Sequence, residues 1–140
     1  MSPKRLSQRL SDFEKALERL KEVLAEDPAK TSAIIDGTIQ RFEFTFELAW
    51  KLGQHLLSYN GVEANNPRSV IKELFKEKFI PDGTAWIEML DDRNRTAHLY
   101  DEKEAVKIYK YIKENYYFLL DDFKQKMQSV ILAIKPEDHK

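Results

Sequence analysis

No cysteine occurs among the 140 residues, so disulfides, thiolate zinc sites and a cysteine nucleophile are all excluded. Glycine and proline are scarce, with 4 and 5 copies, and no Gly-rich phosphate loop or nucleophile elbow is present. Long uncharged runs are also missing, and the start Met1-Ser2-Pro3-Lys4-Arg5-Leu6 has no apolar signal region. Secretion and membrane spanning are therefore not expected, and the cytoplasm is the default location. A bias of charge is absent as well. Lys and Arg number 23 against 24 for Asp and Glu, a net charge of −1, so nucleic-acid binding cannot be argued from bulk charge and would need a local basic groove. Period-two alternation, internal repeats and low-complexity linkers are not found, which removes the sequence signals of strands and of repeat folds.

What is present is charge and helical periodicity. Charged residues make up 34% of the chain, above the roughly 25% usual for soluble domains. The length fits one domain over residues 1–140 with a core of its own. Ser2-Pro3 reads as an N-cap followed by proline at the first helical position. Leu6, Leu10, Phe13, Leu17, Leu20 and Leu24 then recur at helical steps up to Asp27-Pro28. A second helix is expected from about Thr31 to Tyr59, stopped by Asn60-Gly61. Ile35, Ile39, Phe42, Phe46, Ala49, Gly53 and Leu56 form one apolar stripe on it, and Phe44, Leu48 and Leu52 add apolar surface on other sides. A helix greasy on more than one face is buried on more than one face, which predicts a two-fold homodimer.

Asn66-Pro67 opens a short third helix with Val70, Ile71, Leu74 and Phe75 inward, ended by Pro81-Asp82-Gly83. A fourth, from near Thr84, places Trp86, Met89, Leu90 and Ala97 on its buried side, with Arg93 on the same stripe. Asp101 and Glu104 make a capping-box-like start for the fifth, in which Val106, Tyr109, Ile112, Tyr116, Leu119, Phe123, Met127 and Val130 keep step. The core should run over about residues 3–131, and 132–140 should fray. The expected fold is all-α: an antiparallel up-and-down bundle of four main helices and one short one.

Usable chemistry concentrates in Asp91-Asp92-Arg93-Asn94-Arg95-Thr96-Ala97-His98-Leu99-Tyr100. On a regular helix Asn94 and His98 share a face, whereas Arg93 lies about 140° round from His98. Bringing guanidinium and imidazole to one point therefore requires the helix to loosen after Ala97, or a second copy of the chain to complete the site. Each residue also has a structural role available. Arg93 can pair with a carboxylate such as Glu47, and Arg95 with Asp91 on the surface. A histidine in the last turn of a helix is favoured by the macrodipole, and a tyrosine at a helix end is ordinary. His55 and His139 are too distant in sequence to argue for a metal site with His98, so neither a metal nor a cofactor is expected.

The order Arg93, Asn94, then His98 and Tyr100 resembles the Arg-x4-His-x-Tyr motif of HEPN-domain proteins. Arg41 through Lys51, Asn66-Pro67-Arg68-Ser69-Val70-Ile71 and Trp86 through Asp101 are similar to the branch called nucleotidyltransferase substrate-binding proteins. The likeness runs from about Leu6 to Met127. It implies a dimeric helical bundle acting beside a minimal nucleotidyltransferase. In one form the helical protein is a toxin that cuts RNA without metal, and the nucleotidyltransferase is an antitoxin that adenylylates the motif tyrosine. In the other it is a non-catalytic subunit that helps bind the nucleotidyltransferase's substrate. Carried onto this chain, the resemblance makes Arg93 and His98 the catalytic pair, Asn94 and Arg95 substrate contacts, and Tyr100 the modified residue. The chemistry is self-consistent: ribose 2′-hydroxyl attack needs a base, an acid and a cation to hold the phosphate, and paired motifs across a dimer would supply two histidines.

Overall fold

The computed structural model describes residues 2–98 and 101–134, and these are helical with no strand among them. Helix α1 spans Pro3–Leu24, with the Ser2 hydroxyl accepting the Arg5 backbone N–H at 3.2 Å. Pro3 occupies the first turn, where a missing N–H costs nothing. Helix α2 covers Ser32–Tyr59, capped by Thr31, and is about 42 Å long. Gly61, at φ +81°, takes the left-handed conformation that turns the chain back after α2.

Helix α3 (Pro67–Lys76) begins with a full capping box: the Asn66 side chain accepts the Ser69 N–H at 2.9 Å, and the Ser69 hydroxyl accepts the Asn66 N–H at 3.3 Å. Helix α4 (Gly83–Arg95) starts at Asp82, whose carboxylate accepts the Ala85 N–H. It passes into a 3-10 turn at Thr96–His98. Helix α5 (Glu102–Tyr111) is capped by Asp101, which accepts the Glu104 N–H at 2.8 Å. It continues through a π-helical turn, Ile112–Tyr116, into α6 (Tyr117–Leu132).

The expected bundle is observed. Helix α2 is its axis, packed against α1, α3 and α5, while α1 and α6 pair on one side and α3 and α4 on the other. A run of aromatic contacts joins four helices through the middle. Phe46 of α2 lies 6.2 Å from Trp86 of α4, Trp86 meets Phe123 of α6 edge-on at 5.1 Å, and Phe123 meets Phe13 of α1 edge-on at 5.9 Å. All four rings are buried. Edge-to-face pairs of this kind add about 0.5–1.5 kcal/mol each beyond the area they bury. Trp86 thus anchors α4, and with it everything that α4 carries.

Several positions differ from the sequence expectation, each for a local reason. Phe75 is 51% exposed: Val70, Ile71 and Leu74 fill the inward face of α3, and the Phe75 ring lies instead over Gly83 at the start of α4. Ala97 is exposed because the 3-10 turn abandons the buried stripe of α4. Leu52 is fully buried inside the chain, since α2 is covered by neighbours over a wide arc; Phe44, by contrast, is 60% exposed on the single chain. Along the last rod Leu120 and Ile131 are buried where Leu119 and Val130 were expected. The wider π turn moves burial by one residue at these two positions, while Phe123 and Met127 stay buried as expected.

Candidate functional site

The end of α4 is tied down from two directions. Arg68 of α3 reaches Asp91 at 2.8 Å. On the other side the Tyr116 hydroxyl, from the π turn, donates to Asp92. Tyr116 is itself held by stacking, at 5.6 Å on Phe42 and 6.1 Å on Tyr111. Burial, and then the hydrogen bond to Asp92, push its hydroxyl well above the ordinary tyrosine range, so it stays protonated and donating. Asp92 also receives Arg95 at 3.2 Å. That pairing stands in place of the one expected between Arg95 and Asp91, and Asp91 is held by Arg68 instead.

Arg93, between these clamps, is half-buried and forms no ion pair among the described residues; the pairing with Glu47 that its position allowed is not made. Glu47 instead accepts the Trp50 indole N–H at 3.0 Å and lies 3.4 Å from Lys51. Arg93 lines a groove of about 670 Å³ between α1, α2 and the end of α4, together with Arg19, Arg41, Gln40, Glu43 and Phe44. Arg41 is braced there by donating to the Arg19 carbonyl at 2.7 Å, and the Thr45 hydroxyl lies 2.7 Å from the Arg41 carbonyl and 3.2 Å from that of Ala16. These bonds lock the α1–α2 wall of the groove.

Of the described motif residues, Arg93 alone lines the groove. Asn94, Arg95 and His98 are exposed at the end of α4, with Arg95 61% exposed. The loosening of the helix begins at Thr96, whose hydroxyl donates to the Arg93 carbonyl at 2.6 Å, and His98 sits in the resulting 3-10 turn. Tyr100, assigned above as the modified residue, lies outside the described residues. No group of three or more His, Asp or Glu side chains among the described residues is disposed to hold a metal ion. No helix among them is long and apolar enough to cross a membrane.

This arrangement of helices has known counterparts. The family model described as "Nucleotidyltransferase substrate binding protein like" matches residues 8–129. The chain belongs to that family. Among curated proteins of the same kind is the probable ribonuclease HepT of Haemophilus influenzae, 31% identical over 103 residues, covering 68% of this chain and 70% of that protein. A crystal structure from Thermus thermophilus superimposes with a TM-score of 0.75 at 34% identity, over 83% of this chain and 98% of that one. A second structure, from H. influenzae and described as revealing the fold of a substrate binding domain of a nucleotidyltransferase, has a TM-score of 0.65 at 21% identity, over 91% and 99% of the two chains, and so shares the fold.

Groove residues that sequence reasoning did not assign to the site are Arg19, Arg41 and Phe44, the last read only as apolar surface on a second face of α2. Arg41 and Phe44 sit in the Phe-rich stretch that carried the family resemblance, yet nothing in their spacing ties them to Arg93. Arg19 carries no signal at all, since it is one of several exposed cations on α1 and only the packing of α1 on α2 brings it to the groove.

Proposed function

We propose that this protein is the HEPN partner of a minimal nucleotidyltransferase and acts as the metal-independent ribonuclease toxin of a toxin–antitoxin pair, silenced by adenylylation of Tyr100. The observation that carries this reading is Arg93, a half-buried guanidinium with no carboxylate partner among the described residues, opening on a groove. An arginine in such a place is costly unless it serves an anion. In the reaction, one His98 imidazole takes the proton of a ribose 2′-hydroxyl. The 2′-oxygen attacks phosphorus, the 5′-oxygen leaves with a proton from a second acid, and the products are a 2′,3′-cyclic phosphate and a free 5′-hydroxyl. Arg93 stabilises the charge that builds on the phosphate. Asn94 orients the phosphate or the imidazole, and Arg95, exposed at the end of α4, contacts the adjoining substrate.

One chain supplies one motif histidine, so the second proton transfer calls on His98 of another copy, in a homodimer whose motifs meet in one cleft. The test is an RNA-cleavage assay in EDTA with the wild type, Arg93→Ala and His98→Ala. Cutting by the wild type and by neither variant, with helical content and sedimentation unchanged, supports the reading; retained cutting by either variant refutes it. Incubation with the nucleotidyltransferase and ATP should add one adenylyl mass at Tyr100 and abolish cutting.

A second reading has its own support, in the family's substrate-binding description and in the chemistry of the groove, which would hold the phosphate of any nucleotide substrate. There the chain is a non-catalytic subunit presenting that substrate to the nucleotidyltransferase. Tight binding to the partner with no cutting by any folded preparation would select it.

A further inference from the structure

The ribonuclease reading uses Arg93 but leaves the rest of its groove without a role. The remaining lining is unusual for a solvent-facing helix junction: two further guanidiniums, Arg19 and Arg41, and the ring of Phe44, which is 60% exposed on the single chain. Two carboxylates, Glu43 and Glu47, share the groove, but Glu47 is engaged by Trp50 and Lys51. The positive groups therefore outnumber the free negative ones. Arg41 spends one donor on the Arg19 carbonyl at 2.7 Å and keeps the others of its five.

We infer that this groove is a single-stranded RNA subsite in which Phe44 stacks the base next to the scissile bond and Arg19 and Arg41 hold the flanking phosphate. The inference rests on the ribonuclease reading for its polarity, with Arg93 at the scissile phosphate, but not for its binding. An exposed phenyl ring beside paired guanidiniums is the combination by which proteins hold single strands: the ring accepts the π-face of any base, and the cations track the backbone. A duplex would not fit this scheme, because its bases are stacked on one another and cannot reach Phe44. Glu43 lines the same groove and has no hydrogen-bond or ion-pair partner among the described residues.

The experiment is fluorescence anisotropy with a 2′-O-methyl oligonucleotide, which cannot be cut, titrated into the full chain. Phe44→Ala should weaken binding about tenfold, while Phe44→Tyr and Phe44→Trp keep it within about twofold. Arg19→Ala should reduce the salt dependence of log K by about one unit of slope. An oligonucleotide abasic throughout should bind weakly and show no effect of Phe44→Ala. Binding that responds in this way while the wild type cuts no RNA would uphold the subsite and overturn the ribonuclease reading alone. Unchanged affinity in both Phe44→Ala and Arg19→Ala overturns the subsite. So does a change of sedimentation coefficient in Phe44→Ala that accounts for the lost affinity, since Phe44 would then be covered by a second copy of the chain.

Discussion

Replacing Tyr116 by phenylalanine tests how much one of the two clamps on the end of α4 contributes to stability. The substitution keeps the ring, and with it the stacking on Phe42 and Tyr111. It deletes the hydroxyl that donates to Asp92. A hydrogen bond to a charged acceptor is worth about 1.5–3 kcal/mol net. Asp92 retains Arg95 at 3.2 Å and is 14% exposed, so water can reach the freed oxygen and the lower end applies, about 1.5 kcal/mol. Unfolding entropy of about 2.1 cal/mol/K per residue gives about 0.3 kcal/mol/K for this length, so Tm should fall by about 5 °C. Differential scanning calorimetry measures this directly. A double-mutant cycle with Asp92→Ala separates the contact from other effects, and should show about 1 kcal/mol of coupling. A Tm within about 1 °C of the wild type, or a coupling near zero, would refute the claim that this bond clamps the motif helix.

Other consequences can be checked on the same preparations. A Cβ at Gly53 would stand 2.7 Å from one Leu74 methyl and 3.4 Å from its Cγ, and Leu74 is fully buried. Gly53→Ala should therefore cost about 1 kcal/mol by urea titration, the overpacking of α2 on α3 outweighing the gain in helix propensity of about 1 kcal/mol; a stabilised variant would mean that the α2–α3 contact is looser than described. The hydroxyls of Tyr116 and Tyr117 are both pushed above the tyrosine value of 10.0, chiefly by burial. Their contribution to stability is complete below about pH 10, where unfolded tyrosines are still protonated, and is lost as pH rises through the folded values. Stability measured between about pH 8 and 11 should thus decline above about pH 10, and less steeply in Tyr116→Phe; equal slopes in the two proteins would contradict the assignment.

The helices themselves were legible in the residues. Ser2-Pro3, Thr31, Asn66-Pro67 and Asp101 sit at the helix starts as expected, Gly61 takes the left-handed turn after α2, and Asp82, read only as part of a break, is the cap of α4. These signals are local: a side-chain oxygen satisfies a backbone N–H two or three residues away, and the leucine and phenylalanine spacing records which face will be buried. The motif was legible too, as a short string with a family likeness. Where the reading failed, the decisive partner lay far away in sequence. Arg95 pairs with Asp92, three residues before it, while Asp91 is held by Arg68, 23 residues earlier in the chain. The π turn at Ile112–Tyr116 leaves no mark in the apolar spacing, yet it places Tyr116 on Asp92 and moves burial from Leu119 to Leu120.

By itself, then, the sequence determined the helices, their caps and order, and with them the all-α class, because caps and apolar spacing act within a few residues; the Arg93–His98 motif was legible as a string. Tertiary structure alone decided that Arg93 opens on a groove, that Arg19, Arg41 and Phe44 share it, and that Asp92 faces Tyr116. Those relations join α1, α2, α4 and the π turn across the bundle, and they follow from how the helices pack in space, which no local spacing encodes.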